Sequence, residues 1–230
     1  MDVNRINARY FSKGAQLELY KHHYLDLLPP EKILFPRYIS GADKVLDLGC
    51  GAGRTTARIG ELAGEVIGTD ISEVMVETAQ EKNPGLEFRV MDAASIDYPD
   101  EQFDVVVFSY NGPCYLYPEE KRQACMRDVH RVLKSNGKFI FSSFTRYPPY
   151  TLSSLVNLVV TRLLMGLRTR YKIHLTRHGV TVNYETTPED EVQLLESMGF
   201  VLDEMVPMSE KVGFFGYTPD ISTYYVFSKR

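Results

Sequence analysis

A short apolar run that ends in an acid and three alternating glycines constrains this chain more than anything else in it. Residues Val45 to Thr56 read V-L-D-L-G-C-G-A-G-R-T-T. Val45, Leu46 and Leu48 have the side chains of a buried strand, and Gly49, Gly51 and Gly53 let the backbone turn sharply and approach a ligand before a helix starts. Asp47 sits at the mouth of that turn. A carboxylate there repels phosphates but suits a ligand that carries a ribose and a positive charge, so the loop favours an adenosyl sulfonium over a nucleotide. The G-x-G-x-x-G spacing of a dinucleotide loop fails, because Arg54 stands where its third glycine belongs. That counts against a nicotinamide-dependent oxidoreductase.

Further strands with polar residues at their carboxyl ends should follow such a turn. Glu65 to Thr69 is a second strand closed by Asp70, and Ser72 can cap a helix beginning at Glu73 with Met75, Val76 and Ala79 on one face. Asp70 lies about 20 residues beyond the turn, where an acid can hold both hydroxyls of a ribose. Leu86 to Met91 is a third strand, followed by Asp92. Phe103 to Phe108 is a fourth, almost continuously apolar as a central parallel strand should be, with Ser109, Tyr110 and Asn111 at its end. Pro118 starts a helix that runs through Val129 and Leu133 to a stop at Gly137, and Lys138 to Phe144 is a fifth strand.

In these motifs the chain resembles the class I methyltransferases that use S-adenosylmethionine, specifically their small-molecule branch, from about Lys44 to Phe144 and again from Thr187 to the end. The resemblance implies an α/β fold, a Rossmann-like three-layer sandwich with a seven-stranded, mostly parallel sheet and an antiparallel last strand. It implies one domain: an N-terminal helical cap over 1–41, a cofactor-binding core over 44–144, a substrate lid inserted over 145–186 and the rest of the core over 187–230. By that resemblance the turn from Asp47 through Gly49, Cys50 and Gly51 to Gly53 wraps the methionine end of S-adenosylmethionine. Asp70 binds the ribose hydroxyls, Ile71 and Met75 line the adenine pocket, Asp92 and Ala93 meet the adenine amino edge, and Ser109 and Tyr110 lie near the sulfonium. Thr187-Pro188-Glu189-Asp190 caps a helix to Met198, Val201 to Met205 forms a strand, and Ser222 to Ser228 is the antiparallel last one. S-adenosylhomocysteine is the implied product.

The regions outside the shared core are where acceptor choice is expected. Ala15 to Leu28 has a helical pattern ended by Pro29-Pro30, and Ile33 to Ile39 reads as a second short helix interrupted at Pro36. In related enzymes an aromatic or basic residue from such a segment closes over the cofactor, which makes Tyr10, Phe11 and Tyr20 candidates. Leu152 to Leu167 is largely apolar and a basic cluster, Arg168, Arg170, Lys172, Arg177 and His178, follows it. The stretch is too short and interrupted to span a bilayer, which needs about 20 apolar residues. It reads first as an amphipathic lid, with a dimer face or membrane contact as alternatives.

Methyl transfer needs a nucleophile held in line and water kept out, and no nucleophilic side chain. A neutral amine attacks unaided, while a hydroxyl or acidic carbon needs a general base. The candidates to orient or activate an acceptor are Tyr110, Asn111, Tyr115, His174, His178 and Tyr184. His174 and His178 have helical ligand spacing but no third ligand, so no metal is expected. Asn111-Gly112-Pro113-Cys114-Tyr115 departs from the N-P-P-aromatic motif of base-amine methylases, and the net charge of −4 gives no global field toward nucleic acid. The odd count of three cysteines and the N-terminus without a secretory pattern point to the cytoplasm. The reading is therefore a methyltransferase acting on nitrogen, slightly favoured, or oxygen of a small molecule, as monomer or homodimer. Its rivals are a lipid or quinone methylase at a membrane surface and a catalytically inactive S-adenosylmethionine-binding protein.

Overall fold

Val45 to Leu48 are all buried, and their side chains divide between two cores. Val45 packs on one side of the sheet with Val105, Val107 and Ile140. Leu46 and Leu48 pack on the other with Val106, Phe108, Phe139 and Phe141. This alternation in a strand buried at every position from Val45 to Leu48 is what cover on both faces requires. The computed structural model describes residues 2–12, 18, 26–41, 43–145, 152–166, 168–176, 179–208 and 222–230.

The helices α1 (Val3–Ser12) and α2 (Pro29–Tyr38) precede the sheet. Then β1 (Lys44–Leu48), α3 (Arg54–Gly60), β2 (Glu65–Asp70), α4 (Glu73–Lys82), β3 (Glu87–Val90) and β4 (Phe103–Phe108) follow. β1 lies parallel between β2 and β4, with Asp47 in register with Gly68 and Val107. After α5 (Glu119–Val132) comes β5 (Leu133–Thr145), parallel to β4. The insertion forms α6 (Leu152–Met165), β6 (Tyr171–Thr176) and β7 (Gly179–Thr186), and the chain closes with α7 (Pro188–Ser197), β8 (Phe200–Met208) and β9 (Ser222–Lys229).

β9 is antiparallel to both its neighbours, β5 and β8. The main sheet therefore runs β3-β2-β1-β4-β5-β9-β8, and β7 with β6 branches from the far end of β5. Phe144 pairs with Ser222 of β9 and with Glu185 of β7, so the hairpin extends the sheet along the β4 side of β5. Leu34 and Phe35 of α2 and Ile59 of α3 cover one face. Met126, Val129 and Val132 of α5 and Leu195 of α7 cover the other. A side chain of this size contributes roughly 1.5–3 kcal/mol when buried, so these two layers carry the fold.

Several sequence expectations shift. The sheet has nine strands rather than seven, because the presumed lid contributes a hairpin. Its segments alternate apolar and polar residues, with Tyr171, Ile173, Val182 and Tyr184 buried. The helix expected to reach Gly137 ends at Val132, and Leu133 already pairs with Phe103 before a register shift. Pro29 and Pro30 do not end a helix but start α2, where proline's fixed φ is preorganised, and Pro36 lies inside α2 without breaking it. The third strand is Glu87–Val90, shorter at both ends than expected. Most of the Ala15 to Leu28 pattern lies outside the described residues. Ser72 and Thr187 cap α4 and α7 as expected, accepting from the amides of Met75 and Asp190.

Candidate functional site

The carboxyl ends of β1, β2, β3 and β4 converge on a cleft of about 250 Å³. Its floor is the glycine turn. Gly51 N donates to Asp70 Oδ2 at 3.0 Å and Cys50 N to the Thr69 carbonyl at 2.9 Å, which docks the turn on the end of β2. Gly51 has φ +55°, and a Cβ built on it meets nothing within 4 Å. A side chain there is strained and projects into the cleft, which is why glycine stands at this position. Gly112 is fixed for a different reason: a Cβ on it falls 1.9 Å from Phe108 Cε2. The tripeptide after Asn111 thus folds tightly over the ring that closes the end of β4.

Asp70 lines the cleft, and its Oδ1 accepts from Ser72 N at 2.8 Å. Burial raises its pKa, against the amides of Ser72, Gly51 and Ile71, which lower it. Two accepted bonds leave further lone-pair sites on a carboxylate for an incoming hydroxyl. Ile71 stands at the rim, 62% exposed, while Met75 is buried below. Asp92 and Ala93 form the next wall, where Asp92 Oδ1 accepts from Ala94 N at 2.9 Å and Lys121 Nζ lies 3.6 Å from Oδ2. Ser109, Tyr110 and Tyr115 complete the cleft from the β4 end, and Asn4, Asn7 and Phe11 of α1 close it from above. Phe11 meets Tyr115 edge-on at 4.8 Å.

Beneath the cleft lies a buried polar network that no motif announced. Arg54, the residue that broke the dinucleotide spacing, binds Glu31 of α2 with Nη1–Oε2 at 2.5 Å and Nη2–Oε1 at 2.9 Å. Glu31 is fully buried, and its oxygens also accept from Leu28 N at 2.6 Å, the Ser109 hydroxyl, and Tyr224 OH at 2.9 Å. Burial alone would lower the Arg54 pKa, but the hydrogen bonds and charge of Glu31 more than reverse that. The network fastens α2 and β9 to the glycine turn, so Arg54 enters the cleft already oriented.

Residues 45–137 match the family model described as a methyltransferase domain. Those residues form a methyltransferase domain of the class I, S-adenosylmethionine-dependent kind. Over 102 residues it is 36% identical to YcgJ, an uncharacterized methyltransferase of Bacillus subtilis, covering 42% of this chain and 39% of that protein. Over 110 residues it is 36% identical to phosphoethanolamine N-methyltransferase 1 of Arabidopsis thaliana, covering 46% of this chain and 22% of that enzyme. The chain thus aligns with about two-fifths or less of these relatives' lengths. A crystal structure of an S-adenosylmethionine-dependent methyltransferase from Methanosarcina mazei superposes with a TM-score of 0.73 at 20% identity, covering 89% of this chain and 99% of that one, and shares the fold.

For this methyltransferase domain, the cleft brings together Gly49, Cys50, Gly51, Asp70, Ile71, Met75, Asp92, Ala93, Ser109, Tyr110 and Tyr115 from the residues singled out in the sequence. Others lie elsewhere. Asp47 is not at the mouth but buried under the turn, with Oδ2 accepting from the hydroxyls of Thr55 and Thr56, both at 2.7 Å. Its Oδ1 has no partner, and burial pushes its pKa up to about 6 despite those two bonds. Gly53 caps α3 outside the cleft. Asn111 is tied to the hydroxyls of Ser142 and Ser222. Tyr184 is buried behind the cleft over Arg122, and His174 lies on β6, where i,i+4 no longer shares one helical face. Tyr20 and His178 lie outside the described residues. Among the described residues no group of three or more potential metal ligands occurs.

S-adenosylmethionine fits this donor set. The unpartnered Asp47 oxygen makes the ground under the turn favourable to positive charge, the open space above Gly51 admits a ligand, and Asp70 offers the cleft a carboxylate. Asn4, Asn7, Arg54, Met91, Leu116 and Lys121 also line the cleft and escaped the sequence reading. Only Arg54 carried a signal, as the residue out of place in a glycine loop.

Proposed function

We propose that the protein transfers the methyl group of S-adenosylmethionine to a nitrogen of a small molecule by in-line displacement. Asp70 holds the ribose hydroxyls; Ile71, Met75, Asp92 and Ala93 surround the adenine; Gly49, Cys50 and Gly51 receive the methionine end over the field of Asp47. Ser109, Tyr110 and Tyr115 face the transfer line. The cofactor supplies an activated methyl on a sulfonium, so the chain's own residues bind, orient and exclude water.

The observation that favours nitrogen is the character of the titratable groups around the cleft. No histidine lines it among the described residues, and burial first of all raises the Tyr115 hydroxyl well above its ordinary range. Tyr115 is then a neutral hydrogen-bond donor that orients an acceptor rather than a base that deprotonates it. An amine arrives with its own lone pair and needs no such base. Phe11 and Tyr115 form an aromatic gate at the acceptor end, and Asn4 supplies a polar contact there, while the Asn7 amide is held by the backbone of Val182 and Tyr115.

Calorimetric titration with S-adenosylmethionine and S-adenosylhomocysteine, with NADH as control, tests the cofactor. Mass gain in mixtures of amines and of phenols then tests the acceptor. The reading requires both adenosyl compounds to bind, NADH to remain silent and amines to gain one or more methyl groups. Gain by phenols alone would replace nitrogen by oxygen; binding without any gain would leave an inactive cofactor-binding protein.

A further inference from the structure

α6 turns two polar residues toward the protein: Thr161 is 2% exposed, its Oγ1 accepts from Ile173 N at 2.8 Å and donates to the Asn157 carbonyl, and Asn157 Oδ1 accepts from Leu175 N at 3.3 Å. These side chains take the outward amides of β6, as Asn7 takes Val182 N and O on the β7 side at 2.9 and 2.7 Å. Capping both edges of the hairpin satisfies backbone groups that a sheet edge otherwise offers to another chain. Val160 and Met165 pack on the buried cluster of the hairpin, but other apolar residues of α6 point the other way. Leu155, Val156, Val159 and Leu163, spaced at one to four residues, form one exposed face, with Leu163 79% exposed and Leu164 64% exposed beside it. Leu175 and Val180, paired across the hairpin, are exposed as well.

A surface helix normally turns its apolar stripe to the core. Here the stripe faces outward, so it awaits an apolar partner. Charge identifies that partner. Residues 145–184 contain six Lys and Arg and no Asp or Glu, in a chain whose net charge is −4. Arg162 follows Val159 by three residues at the border of the apolar face, and Arg168 is exposed just beyond the helix. Neither has an ion-pair partner among the described residues, whereas Arg170 and Lys172 are paired with Asp190 and Glu185. A twofold dimer through this face would bring two copies of a basic, acid-free border into one seam, with no carboxylate of the segment to pair them. A surface that is apolar within and negative at its boundary accommodates both features, the leucines below and the guanidinium groups at headgroup level.

We propose that α6 and the β6–β7 hairpin form an interfacial docking surface for an anionic lipid bilayer, lying in its surface. Among the described residues no helix is long and apolar enough to cross a membrane. The surface adjoins the cleft through α1, whose Asn7 bonds β7 and lines the cleft at once. Docking would therefore hold the acceptor end of the cleft near the lipid surface.

Co-sedimentation of the full chain with vesicles of phosphatidylcholine alone, or mixed with phosphatidylglycerol, tests this. The protein should sediment with the mixed vesicles and at least tenfold less with the neutral ones, and high salt should release it. Val159→Glu combined with Leu163→Glu should abolish sedimentation by more than tenfold. Because both positions are exposed, its melting temperature and S-adenosylmethionine affinity should match the parent. Arg162→Gln with Arg168→Gln should weaken the interaction with anionic vesicles while leaving any residual neutral binding unchanged. Failure to sediment with either vesicle, or equal sedimentation of the glutamate variant, would overturn the proposal. A dimer in sedimentation velocity that the glutamate variant dissociates would overturn it in favour of a second copy.

Discussion

Two ion pairs with wholly buried carboxylates sit on either side of this sheet, and they are not built alike. Under the cleft, Glu31 meets Arg54 in a network that gives both carboxylate oxygens partners and ends in Ser109 and Tyr224. At the root of the insertion, Arg122 of α5 meets Glu191 of α7, but Arg122 Nε and Nη1 and Glu191 Oε2 find no hydrogen bond. The Tyr184 ring, 4.5 Å from the Arg122 guanidinium, supplies an aromatic face instead. The first pair fastens the α2 segment to the ligand-binding turn with fixed geometry. The second joins packed elements whose positions the surrounding core already determines. The first carboxylate is thus fully hydrogen-bonded and the second is not, so loss of a partner should cost more under the cleft than at the insertion.

The sharpest break in the cleft comes from Gly51→Val. The left-handed φ and the open space above the residue put the new side chain where the ligand must lie, so titration should show S-adenosylmethionine affinity reduced more than a hundredfold while far-ultraviolet circular dichroism is retained. Glu31→Ala comes next. It strands a buried guanidinium, and chemical denaturation should show a loss of roughly 3–5 kcal/mol. A loss below about 1 kcal/mol would mean that the network is ornamental and the contrast with Arg122 empty.

Asp70→Ala should weaken S-adenosylmethionine by roughly 1.5–3 kcal/mol, the cost of hydrogen bonds lost from a charged group; unchanged affinity would remove the ribose assignment. A subtler effect should follow from Asp47, whose carboxyl burial holds at about 6. The folded state keeps that proton to higher pH than the unfolded chain, whose aspartates titrate near about 4. It thus binds more protons in the window from about pH 4 to 6, and ligand-free stability should fall as pH rises through it. Thermal melts across the window should show this, and Asp47→Asn should flatten it. A cationic ligand favours the ionised form, so affinity should rise severalfold over the same interval. The smallest effect belongs to the other pair: Arg122→Met with Glu191→Leu should leave stability within about 1 kcal/mol or raise it, since packed apolar groups replace charges that lack full compensation.

The extent to which this was legible differs by region for physical reasons. The turn from Gly49 to Gly53, the acids at Asp70 and Asp92, and the caps at Ser72 and Thr187 are local: each is set by the backbone conformation or chain order of its own few residues, and the structure has the turn after β1, the acids at the ends of β2 and β3, and the caps at the starts of α4 and α7. The insertion misled, because an apolar stretch before a basic cluster suggested an amphipathic lid and drew attention from the alternation in Y-K-I-H-L-T and G-V-T-V-N-Y-E-T, which forms β6 and β7. None of α6, β6 or β7 lines the described cleft. His174 on β6 and Tyr184, buried over Arg122, lie outside that cleft.

By itself the sequence determined the class of fold, the ligand-binding turn and the order of acids around it. Those depend on periodicity, glycine conformations and spacing along the chain. Only the tertiary structure decided that Glu31 would find Arg54, that Asn7 would tie α1 to the hairpin, and that α6 would turn its leucines outward. Such pairings join residues 23 to 175 positions apart, and their energy comes from shared burial, which no local pattern encodes.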